Sequence, residues 1–488
     1  MITTTRSESS QITTNAGALL GGRLAVAAMG WAGTVLIVRS LTESEFGRFT
    51  LVFSILGMAS VVTELGLGRV AIKGVTEPGV DPGRFAGSYV VLRTMLGLLG
   101  YITVIAVVVL GGYDSQVVQA TAIAGVVVVI ATPSAGYDLA FQAHLRMGSV
   151  AVATVIGQAA QLALTVAVVV GGGAVLWFYV PAVAAELVIV LFKMRRAGRL
   201  IEFKYCVEPR HWWELIKEAV PLSIGGALVT LYNKVDAVML SQLDTLGVVG
   251  LYGVAAKFAD LARFTSTAVT VPILTVLVRS WPDDIDRFRA ALLRGASLLL
   301  YCAGLALIGF GFFADDALGL LYGARFEVAA AATQILILGA SMSFFTQLAI
   351  YVLVSAGRNR AYPMVGAVGL ALNIGLNLYL IPRYSYEGAA WATVATNAVV
   401  LGLLWFHLLR LPGLRPVQMG VLWRVLPVAF VSVAATWMTL RFAPWAVAAG
   451  VAASTYTLAA LKFGLFGPGG LTGDDVVQPA VADEGERQ

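Results

Sequence analysis

Charge is scarce in this sequence. Asp, Glu, Lys and Arg make up 12% of its 488 residues, while hydrophobic residues make up 58%. A soluble domain carries roughly twice that share of charge, so a soluble globular fold is excluded. Cysteine is nearly absent: Cys206 lies in a basic loop and Cys302 in an apolar run, which argues against a disulfide framework. His144, His211 and His407 fall at the ends of apolar runs or in loops and read as surface residues. Catalytic motifs are missing too. There is no H-E-x-x-H, no paired C-x-x-C, no Walker-type loop and no G-x-S-x-G. "GLGRVA" (66–71) matches G-x-G-x-x-A, but it closes an apolar run instead of following a strand. No catalytic residue, metal site or cofactor is assigned.

What is abundant is apolar sequence. Runs of about 20 residues, the length that crosses a hydrocarbon core, recur from residue 17 to residue 466. They predict an all-α polytopic membrane protein with about fourteen transmembrane helices. The spans fall near 17–38, 47–68, 85–110, 116–138, 149–170, 174–192, 220–241, 248–277, 291–313, 329–355, 362–381, 387–409, 421–440 and 443–466. Gly111-Gly112, Gly171-Gly172-Gly173, Gly357 and Pro412-Gly413 mark several of the breaks. The first run is too long for a signal-peptide core and is expected as a retained span.

Basic residues orient the spans. With the N-terminus inside, 23 of the 33 Lys and Arg fall in inner segments, five in outer segments and five within spans. That asymmetry follows the positive-inside rule and places both termini in the cytoplasm. The net charge of +5 is therefore topological and requires no nucleic-acid partner.

The longest linker, 193–219, carries Trp212 and Trp213 beside Glu214, Lys217 and Glu218, the pattern of an interfacial amphipathic helix. It divides the chain into an N-terminal six-span half (1–192), a second six-span half (220–410), a C-terminal helix pair (411–466) and a cytoplasmic tail (467–488). The halves look alike. "TVLIVRSLTESEFGRFTLVFSI" in the first aligns with "AVMLSQLDTLGVVGLYGVAAKF" in the second, so Gly47-x-Phe49 matches Gly250-x-Tyr252. Such repeats predict two halves related by pseudo-two-fold symmetry, with substrate held near mid-membrane.

Charges within spans are costly and point to function. Arg23, Arg93, Lys234, Lys257 and Arg263 are the intramembrane cations, facing Asp236 and Asp260 at similar depth. Lys257, Asp260 and Arg263 form a ladder at steps of three, in which Asp260 reaches both cations. Lys234 and Asp236 are two residues apart, so they point to nearly opposite sides of their helix and cannot pair. A hairpin turning near Thr245 would bring Asp236 level with Gly253 to Lys257, with Lys257 as its expected partner. The cationic surplus suits an anionic substrate, with Asp236 and Asp260 pairing with cations or coupling an ion. Gln158, Gln161, Tyr232 and Asn233 are candidate contacts for a polar, glycan-like group.

Four stretches also carry a family pattern. Residues 15–73 hold an Asn and an Arg in span 1, then "RSL", an acidic turn, "EFGRF" and a span closing in "ELGL". Residues 232–263 hold Asp236, a short turn and "VGLYGVAAK"; 321–341 and 357–399 supply the C-terminal pair. In order and spacing these resemble the polysaccharide flippases of the multidrug/oligosaccharidyl-lipid/polysaccharide exporter superfamily, which are related to lipid II flippases. The resemblance implies translocation of a polyprenyl-(di)phosphate-linked glycan across the cytoplasmic membrane, in contact with membrane lipid and with glycan-assembly proteins. It implies a diphosphate-binding role for Arg23 and Arg263, a lipid groove at spans 13 and 14, and candidate Na⁺ or H⁺ coupling. A multidrug or cation antiporter of the same superfamily and a membrane-embedded glycan-processing enzyme are the alternatives.

Overall fold

Fourteen helices form the regular structure of the computed structural model, which describes residues 4–358, 361–411 and 420–465. In chain order they are α1 (Thr4–Ser40), α2 (Glu43–Glu64), α3 (Leu67–Val75), α4 (Pro82–Leu110), α5 (Ser115–Ala143), α6 (Gly148–Val170) and α7 (Val180–Ala197). There follow α8 (Pro209–Leu243), α9 (Leu246–Ser280), α10 (Ile285–Tyr322), α11 (Ala330–Ser355), α12 (Ala361–Leu409), α13 (Gly420–Thr439) and α14 (Trp445–Lys462). No strand occurs among the described residues. The expected tail, 467–488, lies outside them.

Ten helices are long and apolar enough to cross a bilayer, and α8 makes an eleventh if its two parts, bent by 65°, count as one. α2 and α3 share one span, Glu43–Val75, interrupted where Leu65 and Gly66 take left-handed φ of 39° and 68°. α12 contains two spans. Straight, its 49 residues would reach about 70 Å, more than twice a hydrocarbon core. It breaks at Ser385, where φ is 52° and ψ −136°. Counting α12 twice and adding α13 and α14 reaches the fourteen spans expected.

Local sequence explains the boundaries. Thr42 and Glu45 close a capping box on α2: the Thr42 N–H donates to Glu45 Oε2 at 2.7 Å, and Glu45 N–H to Thr42 Oγ1 at 3.4 Å. Asp81 accepts from the N–H groups of Gly83 and Arg84, with Pro82 opening α4. Asp114 caps α5 through the Val117 N–H at 2.7 Å. Gly112 and Gly172 end α4 and α6 at φ of 70° and 62°, a conformation that a β-carbon disfavours.

The chain packs as two units. One contains the residues up to Gly253 together with Leu370–Ala389; the other contains Val254–Gly369 and the residues from Ala390 onward. In the first unit, α4 lies along α5, α1 along α6, α7 against α5 and α6, and α2 against α8. Lipid removes the hydrophobic drive between helices, so close approach at small residues takes its place. Gly22, Gly30 and Gly33 on α1 face Val155, Gln158 and Leu162 of α6. Leu67, Phe85, Tyr89, Phe141, Leu215 and Ala219 build a buried core at one end of this unit.

In the second unit α10 packs on α11, and α14 packs on α10 and α13. Gly304 of α10 makes room for Tyr456 of α14: a β-carbon there would stand 2.0 Å from the Tyr456 hydroxyl oxygen. Tyr301 stacks on Tyr456 at 5.4 Å between ring centres and shares a 2.8 Å hydrogen bond with Thr457. The C-terminal pair is thus fastened to α10 by an aromatic lock.

Candidate functional site

The first unit has two chemically distinct ends. At one end the α1–α2, α4–α5 and α8–α9 turns and the Ser385 break converge. Tyr113 Oη lies 2.9 Å from Ser241 Oγ, and Ser385 Oγ donates to Asp244 Oδ2 at 2.6 Å. Arg48 reaches Asp114 at 3.7 Å. At the other end Lys73 meets Glu218, Lys204 meets Asp81, Arg84 meets Glu208, and Trp212 Nε1 donates to Ser88 Oγ at 2.9 Å. Turns assigned to one side by the basic-residue count gather at one end, and those assigned to the other side at the opposite end.

α2 crosses the first two turns of α9 at the former end, backbone against backbone. A β-carbon on Gly47 would stand 1.7 Å from the Leu246 carbonyl oxygen; one on Gly250 would stand 2.1 Å from that of Glu43. One on Gly253 would stand 2.4 Å from Thr50 Oγ1. Only glycine permits this approach.

Asp236 lies deeper on α8 and is 3% exposed. Its Oδ2 accepts from Tyr252 Oη of α9 at 2.7 Å, and its Oδ1 accepts from Asn377 Nδ2 of α12 at 2.7 Å. Asn377 also donates to Asn373 Oδ1, one turn earlier, at 3.1 Å. Both asparagines are 0% exposed. Asn377 Oδ1 and Asn373 Nδ2 are buried atoms with no hydrogen-bond partner among the described residues. A carboxylate and two carboxamides thus tie α8, α9 and α12 inside an apolar bundle. Tyr252, one residue before the stretch expected level with Asp236, is a partner on α9.

Lys234 leaves α8 on another side. Its methylenes run along Gly57 of α2, 3.4–3.5 Å from where a β-carbon would stand. The ion pairs of this unit among the described residues are Arg48–Asp114, Lys73–Glu218, Arg84–Glu208, Lys193–Asp138 and Lys204–Asp81. Neither Lys234 nor Arg23 belongs to them. Arg23 is exposed on α1. Gln158 of α6 lies against Gly30 of α1, and Gln161 is half-buried one turn further on. Tyr232 is buried at 5% exposure, whereas Asn233 is exposed.

Arg93 has a different place from the one the sequence suggested. Its side chain is buried, and Nε donates to the Thr132 carbonyl at 3.1 Å while Nη1 donates to the Thr63 carbonyl at 2.9 Å. Thr63 is in the last turn of α2, whose open carbonyls carry the negative end of the helix dipole. α2 has no basic residue of its own there, and Arg93 supplies one from α4. It is a clasp joining α2, α4 and α5.

Two further groups were not expected from the sequence: the Lys193–Asp138 pair of α7 and α5, at 2.9 Å with Lys193 only 8% exposed, and the Asn373–Asn377 dyad. The dyad had a signal: two carboxamides one turn apart in an otherwise apolar span. In the second unit Arg263 Nη2 meets Asp260 Oδ1 at 3.0 Å across one turn of α9, and Lys257 is half-buried on the same helix.

Long apolar spans, glycine crossings and buried polar groups tied across helices define a polytopic membrane protein with the architecture of a transporter. Residues 12–278 match the family described as "Polysaccharide biosynthesis protein", and the chain belongs to that family. A curated relative, the "Probable low-salt glycan biosynthesis flippase Agl15" of Haloferax volcanii, is 23% identical over 385 residues, which cover 76% of this chain and 78% of the relative. Among solved structures, the lipid II flippase MurJ in its inward closed conformation superposes with a TM-score of 0.75 at 13% identity, covering 92% of this chain and 98% of that one. An inward-facing multidrug resistance MATE family transporter of the MOP superfamily gives 0.67 at 14% identity, covering 78% and 94%. At these identities the two structures establish the fold.

Proposed function

We propose that the protein is a flippase that carries a polyprenyl-(di)phosphate-linked oligosaccharide or polysaccharide repeat unit from the cytoplasmic to the outer leaflet of the plasma membrane. The family, the named glycan flippase among its relatives and the fold all support that reading. The observation that carries it is Lys234: a cation within a span, beside α2, with no carboxylate partner among the described residues. A cation left uncompensated at that depth is expensive, and an anionic headgroup in transit balances it. Arg23, in the same unit, is proposed to share the phosphate with Lys234, with Gln158, Gln161, Tyr232 and Asn233 facing the glycan; Lys257 and Arg263 are proposed as phosphate-binding cations of the second unit. Arg93 acts indirectly, by holding α2 in place. An antiporter for cationic drugs calls for an acidic or aromatic site, and the cationic surplus opposes it.

Movement follows from alternating access. The Gly47/Gly250 crossing closes the outer end. It consists of backbone contacts worth about 0.5–1 kcal/mol each, weak enough to open and re-form in every cycle. An inside-negative potential favours outward passage of an anion by about 2.3 kcal/mol per charge per 100 mV. The Asp236–Asn373–Asn377 node is the proposed position for Na⁺ or H⁺ coupling, since it offers hard oxygen donors on the helices that must shift. Both termini are placed in the cytoplasm on the basic-residue asymmetry, and glycan-assembly proteins are proposed partners.

The test is reconstitution in liposomes with a fluorescent lipid-linked glycan. Protein should move the glycan between leaflets without changing its mass, and Lys234→Ala or Arg23→Ala should slow that movement about tenfold while insertion stays intact. Full transport by both variants overturns the assignment of the site. A change in glycan mass overturns the flippase.

A further inference from the structure

The linker between α7 and α8 is held by backbone. Gly83 and Gly87 lie one turn apart on α4 and leave a groove in which the linker rests. A β-carbon at Gly83 would stand 2.2 Å from the Glu202 carbonyl oxygen, and one at Gly87 would stand 2.2 Å from that of Lys204. The Lys204 N–H donates to the Gly83 carbonyl at 3.0 Å, and Lys204 Nζ meets Asp81 at 3.0 Å. Beyond this strap, α8 opens as an amphipathic helix. Leu215 (6% exposed) and Ala219 (0%) enter the core, while Trp213 is 58% exposed.

The strap therefore ties the chain to α4 between the end of α7 and the opening of α8, and exposed cations flank it on both sides. Arg195, Arg196 and Arg199 lie within five residues at the end of α7, all exposed and all outside the ion pairs of this unit. Arg196 lies over the Phe192 ring at 5.6 Å from its centre, and Lys217 over the Trp213 ring at 5.1 Å. One cation suffices to complement a helix C-terminus; three clustered arginines exceed that need. Aromatic rings beside basic heads are arranged as groups at headgroup depth are, with the ring toward acyl chains and the charge toward phosphate.

We propose that the end of α7 and the opening of α8 form a docking surface for anionic phospholipid headgroups. The occupant is a lipid of the surrounding leaflet, distinct from the transported glycan-lipid. Rigid anchoring matters here, because a flexible basic linker would sample headgroups diffusely, whereas these cations flank a strap tied to α4. The inference rests on the proposed cytoplasmic placement of the linker, since the cytoplasmic leaflet carries the anionic lipid.

The test uses the full-length protein extracted from membranes containing equal phosphatidylglycerol and phosphatidylcholine, with native mass spectrometry counting retained lipids. Each cation near an anionic surface strengthens association about fivefold. The wild type should retain phosphatidylglycerol preferentially, and R195Q/R196Q/R199Q should bring the two lipids to parity. R441Q, at a stacked arginine outside this surface, should leave the preference unchanged. Raising salt from about 0.1 M to about 1 M, which shortens the screening length from about 10 to about 3 Å, should erase the wild-type preference. Parity in the wild type, or an unchanged preference in the triple variant, overturns the proposal. Because the readout involves neither glycan nor translocation, failed flipping with retained lipid preference would count against the flippase assignment alone.

Discussion

Gly47 and Gly250 hold equivalent positions in the two halves of the sequence, and in the folded chain they touch. The contact is reciprocal: the α-carbon of each faces the carbonyl four residues before the other, Leu246 for Gly47 and Glu43 for Gly250. Thr50 and Gly253, the next equivalent pair, meet one turn deeper.

Gly47→Ala and Gly250→Ala should each force the α9 turns away from α2, because no rotamer relieves a β-carbon lodged against backbone. Overpacking of this kind costs about 1–3 kcal/mol. Thermal unfolding in detergent should show the loss in both variants, and transport should fall with it. A silent Gly250→Ala would refute the close crossing.

Asp236→Leu should destabilise the first unit by about 1–3 kcal/mol, the cost of taking the acceptor from the Tyr252 hydroxyl and from one N–H of the Asn377 amide. Tyr252→Phe and Asn377→Leu each remove one donor. A double-mutant cycle between positions 236 and 377 should show coupling, and additive costs would mean that the 2.7 Å contact carries no energy.

Arg93→Gln and Lys234→Ala should separate stability from transport. The first should lower the unfolding temperature, as the Thr63 carbonyl at the end of α2 and the Thr132 carbonyl of α5 lose their donor, while the surviving protein keeps its apparent substrate affinity. The second should leave unfolding unchanged and lower transport about tenfold, equivalent to about 1.4 kcal/mol. Exchanged phenotypes would return Arg93 to the substrate site.

Gly304→Leu should expel Tyr456 and detach α14 from α10, with no room for both side chains. Cysteine accessibility along α14 should rise. If the helix pair lines a path for the lipid tail, transport should drop even though every intramembrane charge remains.

The strap should loosen in acid. Lys204 beside Asp81, helped by the Arg84 N–H, holds the Asp81 carboxyl below its ordinary value of 3.8. A lowered folded-state value means stabilisation that is complete above the unfolded value and lost as pH falls through the folded one. Proteolysis within 198–208 should stay constant from neutral pH down to about 4 and rise below it. Lys204→Ala should weaken that pH dependence, leaving the part due to the Arg84 and Gly83 N–H groups.

Much of this was legible in the chain. Span lengths and the glycine ends of α4 and α6 follow from local chemistry. So does the separation of neighbours on α8: Asp236 turns to α9 and α12, whereas Lys234 lies along α2. The illegible parts depend on distant partners. Asn377 is 141 residues from Asp236, and no periodicity connects them. Arg93 looked like the other buried cations because its ligands are carbonyl oxygens, which every residue possesses and no side-chain pattern reveals. Lys193 looked like one more basic residue of the linker until α5 brought Asp138 to it.

The strap also sets a leash. From Lys204, pinned on α4, to Pro209, where α8 begins, only Tyr205–Glu208 intervene. The five steps from Lys204 to Pro209 reach no further than about 18 Å fully drawn out. However α8 tilts or slides, its first turn stays within that radius of the α4 groove. Lengthening the leash with glycine and serine would leave every contact described above in place and change only how far the helix can travel.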